Sequence, residues 1–338
     1  MGCTGVTAVQ EAMWLQQELA PDRPNNVVTL WDVDGDLDIP LLTEALRTAV
    51  SEAGALTVNF RRGEGGLRMV ARDPERPEPF HLDVGDADDP GDAARAVVAE
   101  LVSRPFDLGE DALFRIGSIR LGATRHLVVL VFHHIVTDAF GVVTLLSQRV
   151  AEIYRALRTG SAVPELPANA RGDAQQKDAA YRASERFAQA EEFWRDYLAD
   201  EPTAARLPAG VRPAAEGRPA GHWDGLTEPL GMTTRTARIP AAELAVWRRT
   251  ADAVGTSLPD LLAAAATAFL RHMCAVPEPL HEFTVNHRVG PLRRSLGLLS
   301  NRLPIRAEVP PAATLVELAE ALGRSDGACC GTRATTCP

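Results

Sequence analysis

From Val128 to Phe132 the chain runs through five consecutive apolar residues, and His133 and His134 follow at once. A run of this kind reads as a strand buried on both faces, so it has to lie inside a sheet that is covered on either side. Asp138 stands four positions after His134. From Gly141 the period turns helical, with Val142, Leu146, Val150, Ile153 and Leu157 on one stripe. Three ionisable side chains therefore fall where a core strand ends and before a helix begins. Loops held by rigid elements at such ends commonly carry chemistry.

Each of these residues also has a plainer reading. A histidine at a strand end is most often structural. Asp138 alone suits the N-cap of the helix, where its carboxylate accepts orphan N–H groups. Two histidines and an acid also suggest a metal, but no second cluster with ligand spacing occurs elsewhere. Together, at the end of a buried strand, they mark a candidate site.

The chain has 338 residues, 46% hydrophobic and 24% charged, which suits two domains or one large one. A formal net charge of −10 argues against broad nucleic-acid binding. No apolar run is long enough to span a membrane; residues 261–270 are too short and alanine-rich. The start lacks a basic stretch followed by an apolar core, so the expected location is cytoplasmic. Cys3, Cys274, Cys329, Cys330 and Cys337 are an odd, end-weighted set and not a disulfide framework.

Local signals divide the rest. Thr7 with Gln10 three residues on reads as a capping box opening a helix. Residues 25–33 read as a strand before the Asp34-Gly35 turn, and Leu42, Ala45, Leu46 and Ala49 as one face of a helix. Residues 93–101 look helical, ended by Pro105, with Phe106 in a core and a strand opening at Leu113. Residues 161–175 lack periodicity and are rich in Pro, Ala and Gly, as a linker is. Phe187, Ala190, Trp194, Tyr197 and Leu198 mark a helix whose aromatics belong to a core. Gly255 ends another, and Ser257 caps a third, residues 260–273, apolar nearly all round and expected to be buried. After Gly323 the apolar period is lost, and residues 324–338 are expected to be a disordered or aberrant tail.

His133-His134-Ile135-Val136-Thr137-Asp138-Ala139 resembles the HHxxxDG motif of nonribosomal peptide synthetase condensation domains, members of the chloramphenicol acetyltransferase superfamily. Ala139 stands at the motif's glycine, with Gly141 two positions on. Upstream, Arg104-Pro105-Phe106-Asp107-Leu108 and Leu113-Phe114-Arg115 match the family. Downstream, Gly297, Asn301, Leu303 and Arg306 match its IGxFVNTLxxR segment. The RHExLRTxF segment is degenerate here, as residues 51–60 show.

The resemblance implies an α/β fold of two acetyltransferase-like lobes in a V-shaped pseudo-dimer. The first lobe, residues 1–160, carries the histidines, and the second, residues 176–323, is incomplete. It implies an acyltransferase that joins two carrier-bound substrates by an amide bond, the acceptor amine attacking the donor thioester. His134 would take or steer the amine proton. His133, Asp138 and Arg288 would be structural, Arg288 pairing with Asp138. By position, backbone N–H groups near Ala139 and Gly141 are expected to face an oxyanion. Partners would be peptidyl or acyl carrier proteins, whose 4′-phosphopantetheine arms bring the substrates to a monomeric domain that binds no cofactor or metal of its own. Two other readings fit: an ester-forming relative, and a non-catalytic docking remnant or truncated product, favoured by Ala139, the degenerate segment and the missing C-terminal part.

Overall fold

The computed structural model describes residues 3–72, 77–166, 174–200, 202, 204–207 and 238–329. Its elements run β1 (Cys3–Gly5), α1 (Ala8–Leu19), β2 (Asn26–Asp34), α2 (Ile39–Glu52), β3 (Val58–Gly63), β4 (Gly66–Ala71), β5 (Phe80–Asp83), α3 (Pro90–Ser103), β6 (Phe114–Arg120) and β7 (Arg125–His133). A 3₁₀ turn (His134–Val136) and a π-helical turn (Phe140–Leu146) lead into α4 (Ser147–Thr159). Then follow α5 (Ala174–Arg182), α6 (Glu185–Tyr197), α7 (Ala241–Ala253), α8 (Leu258–Cys274), β8 (Leu280–Asn286), β9 (Ser300–Arg306) and α9 (Leu315–Cys329).

The described residues form two compact units. The first holds the chain up to Ala179 together with Arg288–Leu299. It is built on a four-stranded mixed sheet of order β2-β7-β6-β5, antiparallel except for β5 beside β6. Strand β7 is paired on both sides and buried from His126 to His133, which is why its residues carry no polar–apolar alternation. Its register sets His133 opposite Asn26 on β2, and Phe132 opposite Phe114 on β6. Helix α2 buries Leu42, Ala45, Leu46, Ala49 and Val50 in the same core, and α4 buries Val150 and Ile153. The capping box at Thr7 is present, its hydroxyl accepting from Gln10 N–H while Gln10 Oε1 accepts from Thr7 N–H. A second, three-stranded sheet pairs β4 between β1 and β3.

In the second unit β8 and β9 pair antiparallel, with Val285 opposite Asn301. Helices α8 and α9 pack together and share a core with Ile305, Ala307 and Val309. Arg306 ties this unit internally, reaching Asp200 at 2.6 and 2.9 Å and Glu278 at 2.7 Å.

Several expectations are corrected. The second body is not a continuous stretch: residues 288–299, read as part of the second lobe, pack with the first unit. Helix α8 is not buried all round, since Leu262 is 48% and Phe269 52% exposed; Leu261, Ala263 and Ala264 are the residues that share a core with Ile305 and α9. Helix α6 buries none of its residues, and the rings of Phe193, Trp194 and Tyr197 lie against one another with centroids 5.3–5.5 Å apart. Helix α9 does not stop at Gly323 but runs to Cys329. A helix capped by Thr314 and Glu317 propagates one hydrogen bond per residue even where no apolar period supports it. Residues 330–338 lie outside the described residues, as do 167–173 of the linker. Among the described residues no single helix is long and apolar enough to cross a membrane.

Candidate active site

Strand β7 ends on His133, and His134 opens the 3₁₀ turn that follows. His133 is 1% exposed and points into the first unit's core, against the edge of the Phe106 ring at 6.1 Å. Its Nδ1 accepts from Ile135 N–H at 3.1 Å, and its Nε2 lies 3.1 Å from Gln17 Oε1. Burial, then the neighbouring His134 and Arg115, push its pKa down to about 3, so it is neutral. Phe106 in turn sits under the Arg115 guanidinium, 3.6 Å from the ring centroid. Arg115 is held by the main-chain oxygens of Leu101, Arg104 and Pro105 at 2.7–2.9 Å.

His134 is partly exposed. Its main chain is committed, N–H to Asn25 O at 2.8 Å and C=O to Thr137 N–H at 3.3 Å. Its ring is not: among the described residues Nδ1 is buried without a hydrogen-bond partner.

Asp138 and Arg288 meet at 2.7 Å, side chains 2% and 3% exposed. Arg288 Nη1 donates to Asp138 Oδ2, while Nε and Nη2 donate to Ser295 O and Gly297 O at 3.1 and 2.9 Å. Asp138 Oδ2 also accepts from Leu299 N–H at 2.9 Å, and Oδ1 from Gly141 N–H at 2.9 Å. Burial opposes the Asp138 charge, but the Arg288 bond and charge and the two N–H groups outweigh it and hold the carboxyl below the usual aspartate range. Asp138 is thus both ion-pair partner and cap of the turn that follows. Thr137, 0% exposed, adds a bond from Oγ1 to Leu296 O at 2.7 Å. Segment 295–299 is therefore fastened to the histidine turn at several points.

Gly141 is corrected as an oxyanion donor, because its N–H is spent on Asp138 Oδ1. Its lack of a side chain is what the site needs: a Cβ there would stand 2.5 Å from Thr137 Oγ1 and 2.9 Å from Leu296 O. Ala139 is exposed and sits at φ −56°, ψ −41°, ordinary helical values that need no glycine. The π-helical winding of Phe140–Leu146 was not legible, because Val142 and Leu146 are buried by an α and a π period alike. Such turns recur at functional sites. Asn301 lies on β9 in the second unit, where its Oδ1 accepts from Arg302 N–H at 2.8 Å.

Thr137, Gln10 and Gln17 were not assigned to the site from sequence. Gln10 and Gln17 differ by seven, two helical turns, and that spacing was the one available signal. A cavity of about 630 Å³ in the first unit, lined by Phe80, Val97, Leu101, Arg104 and Arg115 among others, does not include His134 in its wall. Among the described residues no three His, Cys, Asp or Glu side chains are grouped to hold a metal ion.

Fold and site together define a mixed α/β protein organised on a His-His-x₃-Asp turn locked by a distant arginine. The chain belongs to the condensation-domain family, whose model matches residues 2–325. It is similar to the isonitrile lipopeptide synthase of Streptomyces coeruleorubidus, 32% identical over 321 residues that take in 94% of this chain and 21% of that protein. It is also similar to the dimodular nonribosomal peptide synthase of Bacillus subtilis (strain 168), 26% identical over 323 residues, 94% of this chain and 13% of that one. Among solved structures, it resembles the first condensation domain of the calcium-dependent antibiotic synthetase in complex with substrate analogue 2a. The match has a TM-score of 0.79 at 28% identity and covers 96% of this chain and 74% of that one. The chain spans only about a fifth of the first curated relative's length, 21%.

Proposed function

We propose that this chain is an acyltransferase that forms an amide bond between two carrier-tethered substrates in nonribosomal peptide synthesis. The observation that carries this is the contrast within the site. His133, Thr137, Asp138 and Arg288 have their polar atoms engaged by neighbours, while the His134 ring has a buried nitrogen without a partner among the described residues. An imidazole can take a proton at one ring nitrogen and give it up again, so a ring with an unengaged nitrogen can relay the proton of an attacking amine.

In the proposed reaction the acceptor amine nitrogen attacks the donor thioester carbonyl. A carbon–nitrogen bond forms, the carbon–sulfur bond breaks, and the amine proton passes by way of His134 to the departing thiolate. Asp138 and Arg288 keep the turn in place and take no part in bond making. Of the N–H groups first assigned to the oxyanion, that of Ala139 remains a candidate. Substrates arrive on the phosphopantetheine arms of donor and acceptor carrier proteins, and no cofactor resident in this chain is invoked. We further assign the two units to the two acetyltransferase-like lobes, the second incomplete.

Intact-mass measurement of acyl transfer between loaded carriers tests this. His134→Ala should lower the rate by roughly 10²–10⁴-fold, the range of general acid–base catalysis, at unchanged melting temperature. Undiminished transfer in the variant would place the chemistry elsewhere. Transfer to a hydroxyl acceptor in preference to an amine would select the ester-forming alternative, and an inert wild type the docking remnant.

A further inference from the structure

Helix α1 sends two amides into the histidine turn, and the surroundings settle which way each amide faces. Gln17 Nε2 has three main-chain acceptors, Pro21 O at 3.0 Å and Ala20 O and Arg23 O at 3.4 Å. With the nitrogen so placed, Oε1 is the atom that faces His133 Nε2 at 3.1 Å. A carbonyl oxygen only accepts, so His133 Nε2 must carry the proton. The other side of the ring demands the same tautomer, since Ile135 N–H can only donate and needs a bare Nδ1, 3.1 Å away.

Gln10 is fixed in the same manner. Its Oε1 accepts from Thr7 N–H at 3.1 Å and from Gln175 Nε2 at 3.3 Å. Nε2 is left to donate, and it meets Ile135 O at 3.2 Å. Both main-chain groups of Ile135 are therefore held by side chains, N–H by His133 and C=O by Gln10. Ile135 is 0% exposed and follows His134 directly, so the peptide after His134 cannot turn without breaking one of these bonds.

We infer that Gln17 and Gln10 are positioning residues for His134, Gln17 by accepting from His133 Nε2–H and so anchoring the ring that holds Ile135 N–H, and Gln10 by holding the Ile135 carbonyl. Catalytic constellations need their neighbours' hydrogen bonds to stay within productive geometry, and small misplacements are costly. The inference rests on the proposed role of His134, but its structural half stands on the tautomer alone.

Nitrogen-15 NMR of the histidine-labelled chain separates the two halves, with His133 and His134 signals assigned by single substitutions. Wild type should show His133 as the neutral Nε2–H form. Gln17→Met keeps the volume and removes the acceptor; Ile135 N–H still holds the Nε2–H form, so the His133 Nε2 signal should shift and the His134 ring signals should shift or broaden. Gln17→Glu keeps an acceptor and should disturb the His134 ring signals less than Gln17→Met does. Gln10→Met should leave the His133 tautomer as it is and disturb His134. In the carrier-to-carrier assay both Met variants should lose roughly ten- to a hundredfold in kcat, with KM nearly unchanged, as expected of misplacement. An Nδ1–H form in wild type, or His134 ring signals unmoved in both Met variants, overturns the inference whatever the activity. An inert wild type would instead defeat the proposed function, leaving the NMR signals to decide the positioning role.

Discussion

Arg288 and Asp138 are 150 positions apart in the chain and 2.7 Å apart in the fold. Both side chains are all but removed from water. Removing one member of a buried pair strands the other charge, which costs far more than the net worth of the pair.

Arg288→Ala should therefore destabilise the first unit by about 3–5 kcal/mol. Asp138→Asn retains an oxygen for Gly141 N–H but loses the charge, and should cost about as much through the stranded arginine. In urea denaturation the double variant should be less damaged than the sum of the singles, since residues in one network couple. Strict additivity would reduce Asp138 to a cap, worth roughly 0.5–2 kcal/mol.

Acid should find His133 before it finds the carboxylates. The unfolded chain takes a proton at this residue below its ordinary value of 6.5, whereas the folded protein resists until about 3. Stability from the neutral ring is thus complete above pH 6.5 and is lost as pH falls from 6.5 toward 3. Relative to His133→Gln, wild-type stability should decline by on the order of 1 kcal/mol per pH unit within that window. His281 and His287, also lowered by burial, are common to both proteins and cancel. Asp138 adds its loss only below its ordinary value of 3.8, because its folded value is depressed. A pH-independent difference between the two proteins would refute the account.

Glycine matters at 141 and not at 139. Gly141→Ala drives a methyl into Thr137 Oγ1 and Leu296 O, and should cost about 1–3 kcal/mol, as overpacking does, with loss of transfer activity. Ala139→Gly should cost at most about 1 kcal/mol in a helical position and bring no gain in activity. Thermal melts of the two variants, run with the transfer assay, check both statements; a gain of activity in Ala139→Gly would contradict them.

Arg115→Lys should not be conservative. A guanidinium spans the three oxygens of residues 101, 104 and 105, and a compact ammonium cannot. Leaving these part-buried carbonyls unmet should cost on the order of 1 kcal/mol. Phe106 and His133 should shift with it, visible in the His133 NMR signals, and an unchanged melting temperature would rule this out.

Much of the local structure was legible in the sequence itself. The unbroken run ending at Phe132 announced a strand buried on both faces, Thr7 and Gln10 a capping box, and Ser257 with Gly255 the boundary between α7 and α8. These signals are local: a cap, a φ value or an apolar period depends on residues within a turn or two, so the chain itself carries them. The histidine turn was legible for the same reason, its polar groups being consecutive.

Tertiary structure decided what those groups touch. Arg288 came to Asp138 only through resemblance, and nothing local marked Ser295, Gly297 and Leu299 as its company. That Asp138 serves as both cap and ion-pair partner, that Gly141 rather than Ala139 needs its missing side chain, and that Gln17 meets the His133 ring all depend on atoms brought together from distant parts of the chain. The exposure of α6 and of half of α8 was decided there too, because an apolar face is buried only where another element covers it. Sequence thus determined which elements form and where the reactive groups lie along them. Long-range packing determined which hydrogen-bonding atoms were consumed and which one, on the ring of His134, was left over among the described residues.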